Sequence, residues 1–158
     1  MPDAATLAAY GLPGLFAVAF LAGSIVPIPS EALMIALLLG GTEPVFTVAV
    51  AAAGNFLGAA TLFWLGRRLG RADGGGLVGW ATRATRSDPA RLERAIASMR
   101  RWGPPALLLS WAPLLGDLLV VGAGAIRVGV VPFALFTAAG KSARFAAVAA
   151  ATLAAAGA

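Results

Sequence analysis

Cysteine and histidine are both absent from this chain. Without cysteine there can be no disulfide, no thiolate metal site and no thiol nucleophile. Without histidine the usual switch near neutral pH is missing, so any proton carried there must ride on a carboxylate with a shifted pKa. Charge is scarce as well, at 12% of residues against 59% apolar, with a mean hydropathy of +0.86. A soluble domain needs far more polar surface than that. Residues 45–66 contain no ionisable side chain. Those 22 residues suffice to cross a hydrocarbon core of roughly 30 Å at about 1.5 Å per residue. The chain therefore reads as an integral membrane protein. No Lys or Arg precedes the first apolar stretch, so a removable signal peptide is not expected. Neither a metal site nor a cofactor is expected. Nor is an enzyme, because no nucleophile–base pair can be assembled except from carboxylate and lysine.

The charges that are present are segregated. The net charge is +5, and nine of the twelve basic residues fall between Arg67 and Arg101. With so little soluble chain around them, a cytoplasmic loop facing lipid headgroups is the expected setting, and no nucleic-acid partner is expected.

Along the chain, residues 4–10 are a short apolar start, broken by Gly11-Leu12-Pro13-Gly14. Residues 15–23 form an apolar arm, which Ser24-Ile25-Val26-Pro27-Ile28-Pro29-Ser30 interrupts before a second arm, 31–40. Pro27 and Pro29 remove backbone donors and bias their predecessors out of the helical region. Each arm is about ten residues, roughly half a bilayer, which predicts a re-entrant hairpin. After a turn at 42–44 comes the span 45–66, then the loop 67–103. Within that loop Asp88 and Pro89 start an amphipathic helix over 89–102, with Leu92, Ile96 and Met99 on one face and Arg91, Arg94 and Arg101 beside them. A second hairpin follows, with arms 106–110 and 117–126 around a break that holds Pro113. Residues 130–157 are long enough for one tilted helix with Lys141 and Arg144 in its middle. Trp64, Trp80 and Trp102 are expected at the interfaces.

The two hairpins share a pattern. Ser24-Ile-Val-Pro27-Ile-Pro29-Ser-Glu31 and Ser110-Trp-Ala-Pro113-Leu-Leu-Gly-Asp117 both read S-x-x-P-x-x-small-acid, 86 residues apart. The same offset pairs Gly54 with Gly140 and the alanines before each. Arginines flank the second hairpin (Arg100, Arg101 and Arg127) but not the first. By the positive-inside rule the second enters from the cytoplasm and the first from outside. The expected fold is an all-α membrane protein built as one membrane domain. Its inverted repeat of two opposed hairpins spans residues 4–66 and 104–158, joined by the arginine-rich cytoplasmic loop. Pro- and Gly-interrupted segments at matching positions of two halves point to a transport site near the midplane.

Glu31 and Asp117 begin half-helices at the hairpin tips. Acids at membrane depth are functional by default, binding a proton or facing a cation, although capping of helix amides would place them there too. Lys141 and Arg144, three apart, share a helix face and should look toward those acids, water or an anionic headgroup. Arg144 suits a phosphate geometrically and Lys141 as a point charge. A structural salt bridge is the other account of both cations. Asn55, whose repeat partner is Lys141, is a further candidate. Gly54-Asn-Phe-Leu-Gly58 is a small-x-x-x-small packing pattern. Ser24 and Ser110 are expected to hydrogen-bond backbone groups freed beside the prolines.

Val26-Pro-Ile-Pro-Ser-Glu31, Gly54-Asn55-Phe-Leu-Gly58 with Gly66-Arg67, Trp111-Ala-Pro113-Leu-Leu-Gly116-Asp117 and Gly140-Lys141-Ser-Ala-Arg144-Phe145 together resemble the DedA family. That family is also described as the VTT or SNARE-associated Golgi protein superfamily, and the match is greatest to its short YqaA-like branch. The resemblance covers residues 15–145. It implies two opposed re-entrant hairpins and lipid movement: recycling of undecaprenyl phosphate and proton-dependent envelope homeostasis in bacterial members, phospholipid scrambling in eukaryotic relatives. It maps the family's acidic position onto Glu31. Typical members carry arginines around the second hairpin's proline, where this chain has Ser110 and Gly116, leaving Lys141 and Arg144 as the phosphate-binding candidates.

The leading expectation is therefore a lipid flippase or scramblase of the bacterial inner membrane. Its expected partners are an anionic or polyprenyl phosphate headgroup, protons as the candidate coupling ion, and a second copy of the chain as the candidate protein partner. A coupled transporter of a small soluble solute and a non-transporting scaffold remain open alternatives.

Overall fold

In the computed structural model the described residues are 4–24, 28–69, 88–112 and 115–157. All their regular structure is helical: α1 (Ala4–Gly23), α2 (Ser30–Leu39), α3 (Pro44–Leu69), α4 (Pro89–Trp102), a 3₁₀ segment η1 (Pro104–Trp111), α5 (Leu115–Ala125) and α6 (Val130–Ala156). The expected helices over 31–40, 45–66, 89–102, 117–126 and 130–157 are present, with ends shifted by at most three residues. Among the described residues one helix, over Pro44–Arg68, is long and apolar enough to cross a membrane, with mean hydropathy 1.7. The chain divides into two compact units, residues 1–58 with 142–158 and residues 59–141, and the division falls within α3 and α6.

In the first unit, α1 and α2 pack together. The break expected at Gly11-Leu12-Pro13-Gly14 does not form, since α1 runs straight through it. Proline removes one backbone donor, which an apolar helix tolerates when neighbours support it. Gly11 serves packing, because a Cβ there would overlap the Leu37 side chain. The first arm is consequently 20 residues, about 30 Å, rather than half a bilayer. The core gathers Leu15, Met34, Leu37, Ala52, Phe145 and Ala149. α3 lies backbone to backbone on α1: side chains at Gly54 and Gly58 would overlap the Phe16 and Phe20 carbonyls. The small-x-x-x-small pattern thus does what its spacing predicts.

In the second unit, α5 is the centre, with Gly116 and every residue from Leu118 to Gly124 buried. Its glycines admit three neighbours. Gly116 abuts the Ser110 carbonyl of η1, Gly122 packs on Ile96 of α4, and Gly124 meets the Phe63 carbonyl of α3. Asp88 caps α4, its carboxylate accepting from the Ala90 amide at 3.0 Å. Ala95 and Met99 of α4 are buried, whereas Arg91, Arg94, Arg100 and Arg101 are exposed. The apolar stripe of this amphipathic helix is thus taken up by packing on α5, at least at Ile96. The expected apolar arm 106–110 is η1, where Pro104 and Pro105 follow Gly103 at φ 66°. A 3₁₀ run of eight residues is unusually long, since such runs seldom exceed three or four residues.

The 86-residue offset reappears in the backbone. Gly40, Gly41 and Thr42 donate to Ala36, Leu38 and Leu37, while Ile126, Arg127 and Val128 donate to Gly122, Gly124 and Ala123. Each set closes its helix with a Schellman turn. The next helices then start at Pro44 and Val130, and Thr47 donates to Glu43 as Phe133 does to Gly129. Thr47 and Phe133 are both buried, and Val45 and Val131 both exposed.

Candidate functional site

Each unit contains an acidic residue in the first turn of a short helix, and a cation of α6 acts on each acid, by direct contact in the first unit and electrostatically in the second. In the first unit Glu31 of α2 forms an ion pair and hydrogen bond with the Arg144 guanidinium. Their side chains are 20% and 26% exposed respectively. Phe145, fully buried, lies beneath the Arg144 guanidinium with its centroid 5.8 Å away. No side chain caps α2 at its N-cap, Pro29, so Glu31 answers a cation instead of closing its own helix. In the second unit Asp117 of α5 interacts electrostatically with Lys141. Lys141 is only 3% exposed. An ammonium so deep in an apolar protein needs such a carboxylate, since burying a charge alone is prohibitive.

The cations stand three residues apart on α6 but belong to different units, one acid–base pair to each. Their arrangement departs from the sequence repeat. Lys141 corresponds to Asn55 and Arg144 to Gly58, so both cations come from the second half. Asn55 is buried and its side-chain amide donates to the Ala19 carbonyl at 3.1 Å. That bond ties α3 to α1.

Beside Lys141 is a feature that sequence reasoning missed. Thr137 lies one turn earlier on the same face of α6, fully buried, and its hydroxyl has no hydrogen-bond partner. The Ser110 hydroxyl, 2% exposed, has none either. η1, which carries Ser110, packs on both neighbours: Gly140 of α6 on the Leu108 carbonyl and Gly116 of α5 on that of Ser110. Ser24 donates to the Leu21 carbonyl, one turn back in α1, at 2.8 Å, whereas the Ser110 hydroxyl makes no such bond. The signal in the sequence was Thr137 four residues before Lys141, hence on the same face of α6. Two further polar residues fix backbone groups at the ends of α3. Arg67 donates to the Val128 carbonyl at 3.1 Å and lies over the rings of Phe63 and Trp64. Glu43 caps α3, accepting from the Val45 and Phe46 amides at 3.1 and 2.7 Å.

Of the hairpin breaks, Pro29 precedes α2, where the Ser30 amide donates to the Ile28 carbonyl. Pro27 and Pro113 lie outside the described residues, as does most of the arginine-rich loop, 70–87. Among the described residues no cluster of acids could hold a metal ion.

A family model described as the VTT domain matches residues 26–153. The chain is 37% identical over 146 residues to the inner membrane protein YqaA of Escherichia coli K12, covering 92% of this chain and 93% of that one. The YqaA protein of Shigella flexneri matches to the same extent. An uncharacterized protein of Haemophilus influenzae is 34% identical over 139 residues, covering 83% of this chain and 80% of its own. No solved structure matches the chain.

Proposed function

Because the chain belongs to the VTT-domain, or DedA, family, we propose that it is an inner-membrane transporter that moves a phosphate-headed lipid between leaflets. The likeness to a protein named for the inner membrane supports the location. The observation that carries the function is the presence of two acid–base pairs, Glu31 with Arg144 and Asp117 with Lys141, in a chain otherwise so apolar.

An ion pair in a low-dielectric setting resists opening from either side. Removing one partner of a buried pair costs roughly 3–5 kcal/mol, because the other charge is left uncompensated. The pair opens cheaply only when both charges are answered together. A proton on the carboxylate and a phosphate on the cation do this at once, and the net charge of protein plus ligand stays balanced. Arg144 would take a phosphate bidentately, and Lys141 would take it as a point charge. Proton binding and headgroup binding are then coupled by charge balance, with Glu31 and Asp117 as the carboxylates that switch. In this reading η1–α5 is a re-entrant hairpin, the short helix α2 is the half-length arm that follows the longer α1, the 86-residue repeat is inverted in the membrane, and the arginine-rich loop is cytoplasmic. Undecaprenyl phosphate and glycerophospholipids both present the required headgroup.

The test is lipid translocation in proteoliposomes, with labelled phospholipid or labelled undecaprenyl phosphate and with or without a pH gradient. Wild type is expected to move at least one of them, faster with a gradient. Glu31→Gln and Asp117→Asn should lose the gradient dependence, and Lys141→Ala with Arg144→Ala should lose movement. Folded wild type that moves neither lipid under any gradient would overturn the proposal and direct attention to soluble solutes.

A further inference from the structure

A cavity under the arginine-bearing helix α4 has no part in that scheme. It lies wholly within the second unit and has a volume of about 370 Å³. Its walls include Ser98 and Trp102 of α4, Ala106 and Leu109 of η1, and Leu115 and Leu119 of α5. That volume is in the range of small-ligand sites. Ser98 is the one polar side chain among these six. Trp102, Leu109 and Leu115 are 66%, 50% and 44% exposed, so three large apolar groups stand uncovered around one opening. Apolar groups clustered in this way mark a place where something binds.

The charge beside the opening narrows what that is. Ser98 and Trp102 are one turn apart, and Arg94 is one turn before Ser98, so all three share the cavity side of α4. The Arg101 guanidinium lies over the Trp102 ring, 5.5 Å from its centroid. Arg91, Arg94, Arg100 and Arg101 are all exposed, and Glu93 is the one acid on the helix. On α5, Leu115 and Leu119 face the cavity, while Asp117, two residues from each, is directed to another side of the helix. The result is an apolar recess with a cationic rim.

We propose that this recess holds an acyl chain of an anionic phospholipid, with its phosphodiester against Arg101 and Arg94. The walls match a hydrocarbon chain, and the rim matches a negative headgroup. A zwitterionic lipid would satisfy the walls but leave the arginines without their counter-charge. Stacking on Trp102 holds Arg101 at the mouth and leaves its N–H edge available for two parallel bonds to phosphate oxygens. This site requires the chain to lie in a membrane but not that it transports anything. It tethers one lipid to α4 and η1 whether or not the acid–base pairs move another.

Native mass spectrometry of delipidated protein tests it, using phosphatidylglycerol or phosphatidylcholine with matched chains and no transport readout. Wild type is expected to retain one phosphatidylglycerol, with at least fivefold lower occupancy by phosphatidylcholine. Arg94→Gln with Arg101→Gln should bring the two lipids level. Leu109→Trp, which enters the recess from a half-exposed position, should abolish retention of both. Ala106→Phe fills the same space from within, and a matching elution profile on gel filtration establishes that each variant is folded. Equal occupancy by the two lipids in wild type would overturn the proposal. So would unchanged phosphatidylglycerol retention in folded Leu109→Trp, or stepwise binding of many lipids with no preference for the first.

Discussion

Gly41 and Arg127 close their helices in the same left-handed turn, at φ 85° and 60°, yet only one of them is a glycine. Thr42 bonds back to Leu37 and Val128 to Ala123, so the two turns are equivalent in hydrogen bonding. Left-handed backbone costs a residue with a Cβ on the order of 1 kcal/mol. Arg127→Gly is therefore expected to stabilise the protein by up to about 1 kcal/mol, and Gly41→Ala to destabilise it by a similar amount. Thermal unfolding in detergent measures both. Arg127→Ala is the control: it keeps the strain and should show no gain.

The two acid–base pairs should differ in what their loss costs. Glu31→Gln leaves a guanidinium that is still a quarter exposed, so solvent screens it and a loss of about 1 kcal/mol is expected. Asp117→Asn removes the acid that acts electrostatically on an ammonium only 3% exposed, so a larger loss than for Glu31→Gln is expected. Double-mutant cycles with Arg144→Gln and Lys141→Gln separate the pair energies from other effects of each change. Equal coupling in both cycles would refute this ranking.

Glycine contacts supply a graded series. At Gly66 and Gly124 a new Cβ would overlap the Val121 and Phe63 carbonyls, and backbone cannot move aside as a flexible side chain can. Each change to alanine should cost roughly 1–3 kcal/mol from overpacking. At Gly14, in the middle of α1, a Cβ would meet nothing within 4 Å. There alanine should be neutral or stabilise by up to about 1 kcal/mol through helix propensity. The measurement is again unfolding in detergent, with Gly14→Ala as the internal reference.

These three cases show what the sequence made legible. The 86-residue offset, the span beginning near residue 44 and the cap at Asp88 rest on local chemistry and periodicity, which a sequence displays directly. The continuity of α1 through Pro13 was not legible. Local rules break a helix there, and the packing of Gly11 on Leu37 is a tertiary fact. The four charged site residues could be named, but their pairing could not, because three-residue spacing puts Lys141 and Arg144 on one face and leaves the partner of each open. η1 was hidden for a similar reason: an apolar run after two prolines fits α and 3₁₀ geometry equally. The stacking of Phe63 on Phe133, at 4.0 Å between centroids, joins residues seventy apart and left no local trace.

Thr137 and Ser110 provide the most direct test of whether the second unit is a working site. A hydroxyl in an apolar helix ordinarily bonds back to a carbonyl one turn earlier, as Thr152 of α6 does to Val148 at 2.8 Å. Thr137 makes no such bond although it is fully buried. An unsatisfied buried hydroxyl costs about 1–3 kcal/mol, so Thr137→Val, equal in shape, should raise stability by about 1 kcal/mol or more. A residue with only a structural role would show that gain with translocation unchanged. If the hydroxyl instead receives a headgroup oxygen or a travelling water beside Lys141, the same change should raise stability and slow translocation severalfold. Thr137→Ser, which restores the hydroxyl, should recover the rate. The second pattern is expected, because a stability cost maintained one turn from a buried lysine is more readily explained by use than by packing. Measuring unfolding and lipid movement on the same preparations of wild type, Thr137→Val, Thr137→Ser and Ser110→Ala decides between the two outcomes.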